Sequence, residues 1–222
     1  MKLRALVRYL RKAHEAWSVI SVGLGWRRSY SMQRPVDADG QAIPWYTYPA
    51  LEFLRSLDFS GKKVFEYGCG NSSIYWASRA AEVVAVENNA EWAAIVRGFG
   101  ITNLSLHEAA NRDDYVSTPI NVSSGGFDVV VIDGRYRREC VKPACEVVRS
   151  DGFIIFDNAD WYPDACADLR SRGWFEVKFS GLGPLAPFQW TTSVFLKSNA
   201  NFGAVAGYQP IACSTPVWQE DD

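Results

Sequence analysis

Short apolar runs alternate with helical patterns of apolar residues from about residue 50 to residue 197. The run 127–132 is almost continuously apolar, which is typical of a central strand buried on both faces. Strands are predicted at 63–67, 82–86, 104–107, 127–132, 152–156, 175–179 and 191–196. Helices are predicted at 50–57, 72–80, 90–99, 138–149 and 161–172, and a loop with at most one helical turn at 109–126.

The order of these elements predicts an α/β domain. Strands that alternate with helices favour a parallel sheet with helices on both faces. The last two strands have no helical pattern between them, so we expect an antiparallel hairpin at the sheet edge. The chain divides into a basic helical extension at 1–44, a folded domain at 45–197 and an irregular tail at 198–222.

Residues 1–34 combine helical spacing of apolar residues with strong positive charge. Eight Lys and Arg side chains in this stretch accompany one acidic side chain, Glu15. One interpretation is a helix that lies on an anionic membrane surface or docks a partner. The other is an ordinary amphipathic helix that packs on the domain with its basic face in water.

The stretch Pro44–Pro49 is dense in aromatic rings and lies in an irregular connection. These rings suit one wall of a ligand pocket in front of the folded domain. They suit equally well a hydrophobic plug beneath the loop.

The composition is that of a soluble globular protein, with 48% hydrophobic and 22% charged residues. The formal net charge of −2 indicates no general affinity for nucleic acid. Five cysteines without paired metal spacing predict reduced thiols in a cytoplasmic protein, and the presence of only two histidines argues against a zinc site. The apolar stretch 19–25 is too short to span a bilayer, and no small-residue cleavage site follows it.

The stretch 64–73 joins an apolar strand to a helix start through a Gly-x-Gly turn. Its glycines let a ligand approach the backbone, and the helix N-terminus supplies free N–H donors. A dinucleotide site would have a third glycine where this chain has Ser73. Glu66 before the turn suits a ligand with an ammonium or sulfonium group. Glu87, at the end of the next strand, suits the two hydroxyls of a ribose.

Residues 45–197 resemble the class I S-adenosylmethionine-dependent methyltransferases. The resemblance is carried by Glu66-Tyr67-Gly68-Cys69-Gly70, by Glu87 and by the closing hairpin. It implies a Rossmann-like, doubly wound seven-stranded sheet of order 3-2-1-4-5-7-6 with strand 7 antiparallel. The shorter stretches 44–49, 66–73 and 131–135 resemble uncharacterised bacterial methyltransferase-like proteins, which are loosely associated with glycan or natural-product biosynthesis.

The same resemblance implies S-adenosylmethionine as the cofactor and assigns roles to residues of the site. Glu66 would orient the amino acid end of the cofactor, Glu87 would hold its ribose, and residues after the third strand would border its adenine. The predicted cofactor contacts are Glu66, Gly68, Gly70, Asn71, Ser72, Glu87, Asn88, Glu108, Ala109 and Asp133.

Oxygen-bearing side chains follow the fourth and fifth strands. Asp133 ends the fourth strand, and Asp157 and Asn158 end the fifth. This set suits Mg²⁺, which would bind the acceptor oxygen and lower its pKa. It is similar to the set of metal-dependent catechol-type and macrolide-sugar O-methyltransferases. Asp133 and Asp157 are therefore the predicted catalytic residues, and these two with Asn158 are the predicted magnesium ligands.

Plainer interpretations of the same residues stay open. Asp157 and Asn158 also suit a cap for the following helix, and Asp133 suits a tight turn. The arginines at 135, 137 and 138 suit either a carboxylate or phosphate on the acceptor or a solvated helix start.

The sequence thus predicts an S-adenosylmethionine-dependent methyltransferase that acts on an oxygen of a small molecule or glycan. Two alternatives are an aminopropyltransferase-like enzyme on the same fold and a cofactor-binding module without catalysis. We expect a cytoplasmic location, with peripheral membrane contact through the basic N-terminus as an open alternative. The acceptor and the oligomeric state are not predicted.

Overall fold

The computed structural model describes residues 3–205 and 212–215. Lys2 and most of the predicted tail, including Trp218, lie outside these residues. The predicted division of the chain at residues 44 and 197 stays a prediction.

Seven strands form one mixed sheet of order β3-β2-β1-β4-β5-β7-β6. The strands are β1 Lys63–Tyr67, β2 Glu82–Glu87, β3 Leu104–Glu108, β4 Phe127–Ile132, β5 Val148–Phe156, β6 Phe175–Gly181 and β7 Trp190–Leu196. The first five strands pair in parallel, whereas β7 is antiparallel to both β5 and β6. The predicted fold class, strand order and closing hairpin are confirmed.

Helices cover both faces of this sheet. They are α1 Leu3–Ser18, α2 Trp26–Met32, α3 Tyr48–Arg55, α4 Asn71–Ala77, α5 Ala90–Arg97, α6 Arg112–Val122, α7 Arg137–Val147 and α8 Pro163–Ser171. A π-helical turn, Val19–Gly23, follows α1, and a short 3-10 turn, Ala159–Trp161, precedes α8. None of the described helices is long and apolar enough to cross a membrane.

Two elements differ from the prediction. The predicted loop 109–126 contains the 11-residue helix α6, which begins at a side-chain cap where Asn111 Oδ1 accepts the N–H of Asp114 at 2.9 Å. Its apolar residues do not gather on one face, and Pro119 lies inside it, so the helical period is absent from the sequence. Strand β5 begins four residues earlier than predicted, because Val148 pairs with Phe127 across a register shift.

Alternate residues of the strands pack in two separate core clusters, one on each face of the sheet. Val130 and Ile132 of β4 pack in a cluster with α6, α7 and α8, whereas Val129 and Val131 pack in a second cluster with α3 and α4. Burial on both faces fixes the register of the strands. The carboxyl ends of β1, β2, β4 and β5 are thereby brought to one edge of the sheet.

The N-terminal helices are attached differently from the rest. None of the residues of α1 is buried, so its apolar face does not pack on the domain. Helix α2 is held by Ser29, whose Oγ donates to the Val36 carbonyl at 2.7 Å and accepts the Val36 N–H at 3.0 Å. The indole N–H of Trp26 donates to the Ala186 carbonyl at 3.1 Å, which ties α2 to the loop between β6 and β7.

Candidate active site

The glycine turn at the end of β1 lies against the end of β4. Gly68 has a φ of 96°, and its N–H donates to the Val86 carbonyl at 2.8 Å. A Cβ at this position would lie 3.3 Å from Gly134 Cα. Glycine at position 68 therefore allows both the positive φ of the backbone and the close approach of the two strand ends. The next residues turn directly into α4, where the Gly70 N–H donates to Ser73 Oγ at 3.1 Å.

Glu66 places a buried carboxylate beneath this turn. Its side chain is 1% exposed, and Ser73 Oγ donates to Oε2 at 2.5 Å. The other oxygen, Oε1, is buried and has no hydrogen-bond partner among the described residues. Burial raises the pKa of Glu66 to about 7, and the hydroxyls of Ser72 and Ser73 oppose part of this rise. An unpaired buried oxygen of this kind fits a cationic group of a ligand.

Glu87 at the end of β2 is held in one orientation by the chain that follows it. Its Oε1 accepts the backbone N–H groups of Asn88 and Asn89, each at 2.9 Å. The Cys69 thiol donates to Oε2 at 3.6 Å. Asn89 in turn caps α5, where its Oδ1 accepts the Trp92 N–H at 2.9 Å. The carboxylate is therefore fixed beside the glycine turn rather than free in solvent.

These residues surround a cavity of about 460 Å³, here called the glycine-turn cavity. Its walls are the ends of β1, β2 and β4 and the first turn of α5. The lining residues are Glu66, Tyr67, Gly68, Cys69, Ser72, Glu87, Asn88, Asn89, Trp92, Tyr115, Asp133, Gly134 and Arg135.

A second cavity of about 330 Å³ lies on the other side of Asp133 and is here called the aromatic pocket. It brings together rings from three distant segments of the chain. The lining residues are Trp45, Asp133, Arg137, Asp157, Asn158, Trp161, Ala186, Phe188 and Trp190. Asp133 lines both cavities, so a ligand in one reaches the same carboxylate as a ligand in the other.

Both interpretations of the ring-rich stretch Pro44–Pro49 hold for part of it. Trp45 is half exposed and lines the aromatic pocket. Tyr46 and Tyr48 are buried in the core cluster formed with α3 and α4. One ring is therefore part of the pocket wall, and its two neighbours belong to the buried core.

Two carboxylates and one guanidinium form the floor of the aromatic pocket. Burial raises the pKa of Asp133, and Arg137 opposes this rise. Burial and the charge of Asp133 raise the pKa of Asp157. Oδ1 of Asp157 accepts the indole N–H of Trp190 at 3.0 Å and the hydroxyl of Thr192 at 2.5 Å, whereas its Oδ2 accepts no hydrogen bond from residues 3–205 or 212–215.

The structure does not support the predicted magnesium site at Asp133, Asp157 and Asn158. The described part of the chain contains no cluster of three or more acidic, His or Cys residues that could hold a metal ion. Instead, the Arg137 guanidinium donates to Asp133 Oδ1 at 3.0 Å and to Asn158 Oδ1 at 2.9 Å. It also donates to the Asp157 carbonyl. A cation from the chain itself thus occupies one side-chain oxygen of Asp133 and the side-chain oxygen of Asn158.

The predicted arginine cluster separates into different roles. Arg137 is largely buried at the floor of the pocket, whereas Arg138 is exposed and donates to Asp164 Oδ2 at 2.5 Å. Arg135 lines the glycine-turn cavity.

Six of the predicted cofactor contacts line the glycine-turn cavity, namely Glu66, Gly68, Ser72, Glu87, Asn88 and Asp133. The other four lie outside its lining. Gly70 shapes the start of α4, and Asn71 Nδ2 donates to the Pro35 carbonyl at 2.5 Å. Glu108 is exposed and paired with Arg97, and Ala109 is buried in the core.

Sequence reasoning missed several lining residues. Trp92 and Tyr115 reach the glycine-turn cavity from α5 and α6, and Trp161 and Phe188 reach the aromatic pocket from two loops. A signal existed only for Trp92. It lies three residues after Asn89, which caps a helix that begins shortly after Glu87.

No family model matches the sequence, and no curated protein sequence matches it. Solved structures, however, match its fold. Precorrin-6y C5,15-methyltransferase from Geobacter metallireducens has a TM-score of 0.54 and 16% identity over 68% of this chain and 87% of its own. Spermidine synthase from Thermotoga maritima has a TM-score of 0.50 and 16% identity over 69% of this chain and 57% of its own. The N-methyltransferase NodS from Bradyrhizobium japonicum has a TM-score of 0.47 and 13% identity over 66% of this chain and 92% of its own.

The fold is that of the class I S-adenosylmethionine-dependent methyltransferases. In this methyltransferase fold, both cavities lie at the carboxyl edge of the parallel strands. Ligands of open α/β sheets bind at that edge, beside the point where the strand order reverses. Here the reversal lies between β1 and β4, and both strands end in residues of the glycine-turn cavity.

Proposed function

We propose that the protein is an S-adenosylmethionine-dependent methyltransferase that methylates an oxygen of a small molecule or glycan. The observation that carries the proposal is that Asp133 lines both cavities, the glycine-turn cavity and the aromatic pocket. One cavity suits a nucleoside with a cationic tail, and the other suits an acceptor.

The residues of the glycine-turn cavity fit this cofactor. The unpartnered Oε1 of Glu66 is matched by the ammonium group of the cofactor's amino acid end. The fixed carboxylate of Glu87 suits the ribose hydroxyls, because its Oε1 is already oriented by two backbone N–H groups. Cofactor binding would thus give a counter-charge to a carboxylate that is otherwise buried without one.

Bound S-adenosylmethionine supplies an electrophilic methyl group on a sulfonium centre. The chain has to hold the acceptor hydroxyl in line with that group and accept its proton. We assign the second task to Asp157, whose Oδ1 is held by Trp190 and Thr192 while Oδ2 is left to the acceptor. Burial raises the pKa of Asp157, which makes it a stronger base than a solvated carboxylate.

The aromatic pocket supports an acceptor with a flat, weakly polar face. Trp45, Trp161 and Phe188 are each about half exposed around the pocket, where solvent-facing rings are otherwise unfavourable. Such rings pack against a sugar face or against another ring. This is consistent with a glycan or a cyclic small molecule.

Aminopropyl transfer is the second candidate, because spermidine synthase shares the fold. A polyamine acceptor requires a strongly negative pocket. Here the positive charge of the largely buried Arg137 offsets the negative charge of one of the two carboxylates on the floor. We therefore favour a neutral acceptor and methyl transfer.

Isothermal titration with S-adenosylhomocysteine, with and without EDTA, tests the cofactor assignment and whether cofactor binding needs a metal ion. We expect binding in both conditions. Incubation with S-adenosylmethionine and a panel of glycans and phenols, followed by mass spectrometry, then tests methyl transfer. The absence of S-adenosylhomocysteine binding would reject the cofactor assignment. The second candidate would be favoured by a different result. In that case S-adenosylhomocysteine binds and no acceptor is methylated, but an aminopropyl group is transferred from decarboxylated S-adenosylmethionine.

A further inference from the structure

Helix α1 carries an apolar face that nothing in the described chain covers. None of its residues is buried, although Leu3, Leu6, Val7 and Leu10 recur at the spacing of one helix face. Trp17 continues this face one heptad further on; it is half exposed and packs edge-to-face with Trp26, with ring centroids 5.6 Å apart. An exposed apolar face of this length marks an interaction surface.

The opposite side of α1 is cationic. It carries Arg4, Arg8, Arg11 and Lys12, and the single acid Glu15 is already paired with the last two. The exposed side chains of Arg27 and Arg28 on α2 extend this charge. The whole chain, by contrast, has a net charge of −2, so the positive charge is concentrated at this end.

We propose that α1 docks on an anionic lipid surface, with its apolar face among the acyl chains and its arginines at the headgroups. An amphipathic helix with cationic flanks and an aromatic residue on its apolar face fits the interface of such a membrane. A second copy of α1 would cover the apolar face but would leave the cationic side without a counter-charge, so it accounts for only half of the pattern. The proposal is independent of the methyltransferase assignment.

Co-sedimentation of the full chain with vesicles tests this. One set of vesicles contains phosphatidylcholine alone, and the other contains phosphatidylcholine with phosphatidylglycerol. We expect binding to the second set only and release by high salt, because exposed charges are screened.

Paired variants separate the apolar contribution from the electrostatic one. Leu6→Gln with Leu10→Gln should weaken binding at least about tenfold, because the apolar anchor is lost. The matched control, Ala5→Gln with Ala16→Gln, adds the same two amides on the polar side and should bind as the natural chain does. Arg4→Gln with Arg8→Gln should also weaken binding about tenfold, and Glu15→Gln should strengthen it. None of these variants should change the melting temperature, because no residue of α1 is buried.

Three results would overturn the proposal. The first is an absence of binding to the phosphatidylglycerol vesicles. The second is equal loss in the Leu6/Leu10 pair and the Ala5/Ala16 pair. The third is a dimer by light scattering that the Leu6/Leu10 pair converts to a monomer, which would assign the face to a second copy of the chain.

Discussion

Arg137 Nη2 donates a hydrogen bond to Asp133 Oδ1 at 3.0 Å, and this ion pair forms part of the floor between the two cavities. The Arg137 side chain is only 12% exposed. Its guanidinium also satisfies the carbonyls of Gly134 and Asp157. The strand ends of β4 and β5 are therefore joined through one side chain.

We expect Arg137→Met to destabilise the fold by about 1–3 kcal/mol, because it leaves the partly buried carboxylate of Asp133 without its partner. Arg138→Met is the matched control: the two residues are adjacent, both lie over the Tyr162 ring, and Arg138 is exposed. Urea unfolding measures both. Equal stability of the two variants would contradict the structural role of Arg137.

Glu87→Ala should weaken S-adenosylhomocysteine binding by on the order of tenfold or more. The reason is that the variant loses hydrogen bonds to a charged group, which contribute about 1.5–3 kcal/mol. Glu87→Gln keeps one oxygen for the Asn88 and Asn89 N–H groups and should lose less. Glu108→Ala is the control, since Glu108 is exposed and outside the cavity lining. Isothermal titration that finds Glu87→Ala unchanged would reject the ribose role.

Glu66 makes the stability of the free protein depend on pH. Its pKa is about 7 in the folded state against 4.5 for the ordinary group, so the folded state binds the proton more tightly. The free energy of unfolding therefore falls as pH rises from about 4.5 to about 7, by about 3 kcal/mol at 1.36 kcal/mol per pKa unit.

Glu66→Gln removes this contribution. We expect urea unfolding to show a shallower pH dependence and a more stable variant at about pH 8, since no buried charge has to form. Asp133 and Asp157 keep a slope of the same sign, because burial raises both pKa values. The same variant should bind S-adenosylhomocysteine more weakly. If the variant keeps the pH dependence of unfolding seen in the natural chain, a group other than Glu66 is responsible for it.

Gly134→Ala should destabilise the fold by about 1–3 kcal/mol through overpacking. Its Cβ would lie 2.0 Å from Tyr115 Oη and 2.8 Å from the Tyr67 carbonyl. Gly61→Ala is the control, because a Cβ there meets nothing within 4 Å. Tyr115→Phe in the Gly134→Ala background should recover part of the loss. Thermal unfolding of the four proteins checks this, and a neutral Gly134→Ala would contradict the close packing of these strand ends.

The fold was largely predictable because its strands are short apolar runs between helical periods, and the strand order followed from the resemblance at Glu66–Gly70 and Glu87. Helix α6 escaped prediction, since its stability comes from a cap at Asn111 and from the burial of Tyr115 rather than from a periodic apolar face.

The glycine-turn cavity was predictable where its residues are contiguous in sequence. The aromatic pocket was not, because Trp45, Trp161 and Phe188 meet only through the topology of the sheet. The contacts of Arg137 with the strand ends were not predicted, for a similar reason. Its acceptors belong to the ends of two strands that only the folded sheet brings together.

The Trp26–Ala186 hydrogen bond ties the N-terminal extension at 1–44 to the aromatic pocket, because Ala186 itself lines that pocket. A shortened chain that begins after α2 would lose a brace of the loop that carries Ala186 and Phe188. Truncation between Leu24 and Trp26 would instead remove α1 and leave that brace in place. Comparing methyl transfer and vesicle binding by these two shortened chains would separate the proposed lipid-docking role of α1 from the support that α2 gives to the aromatic pocket.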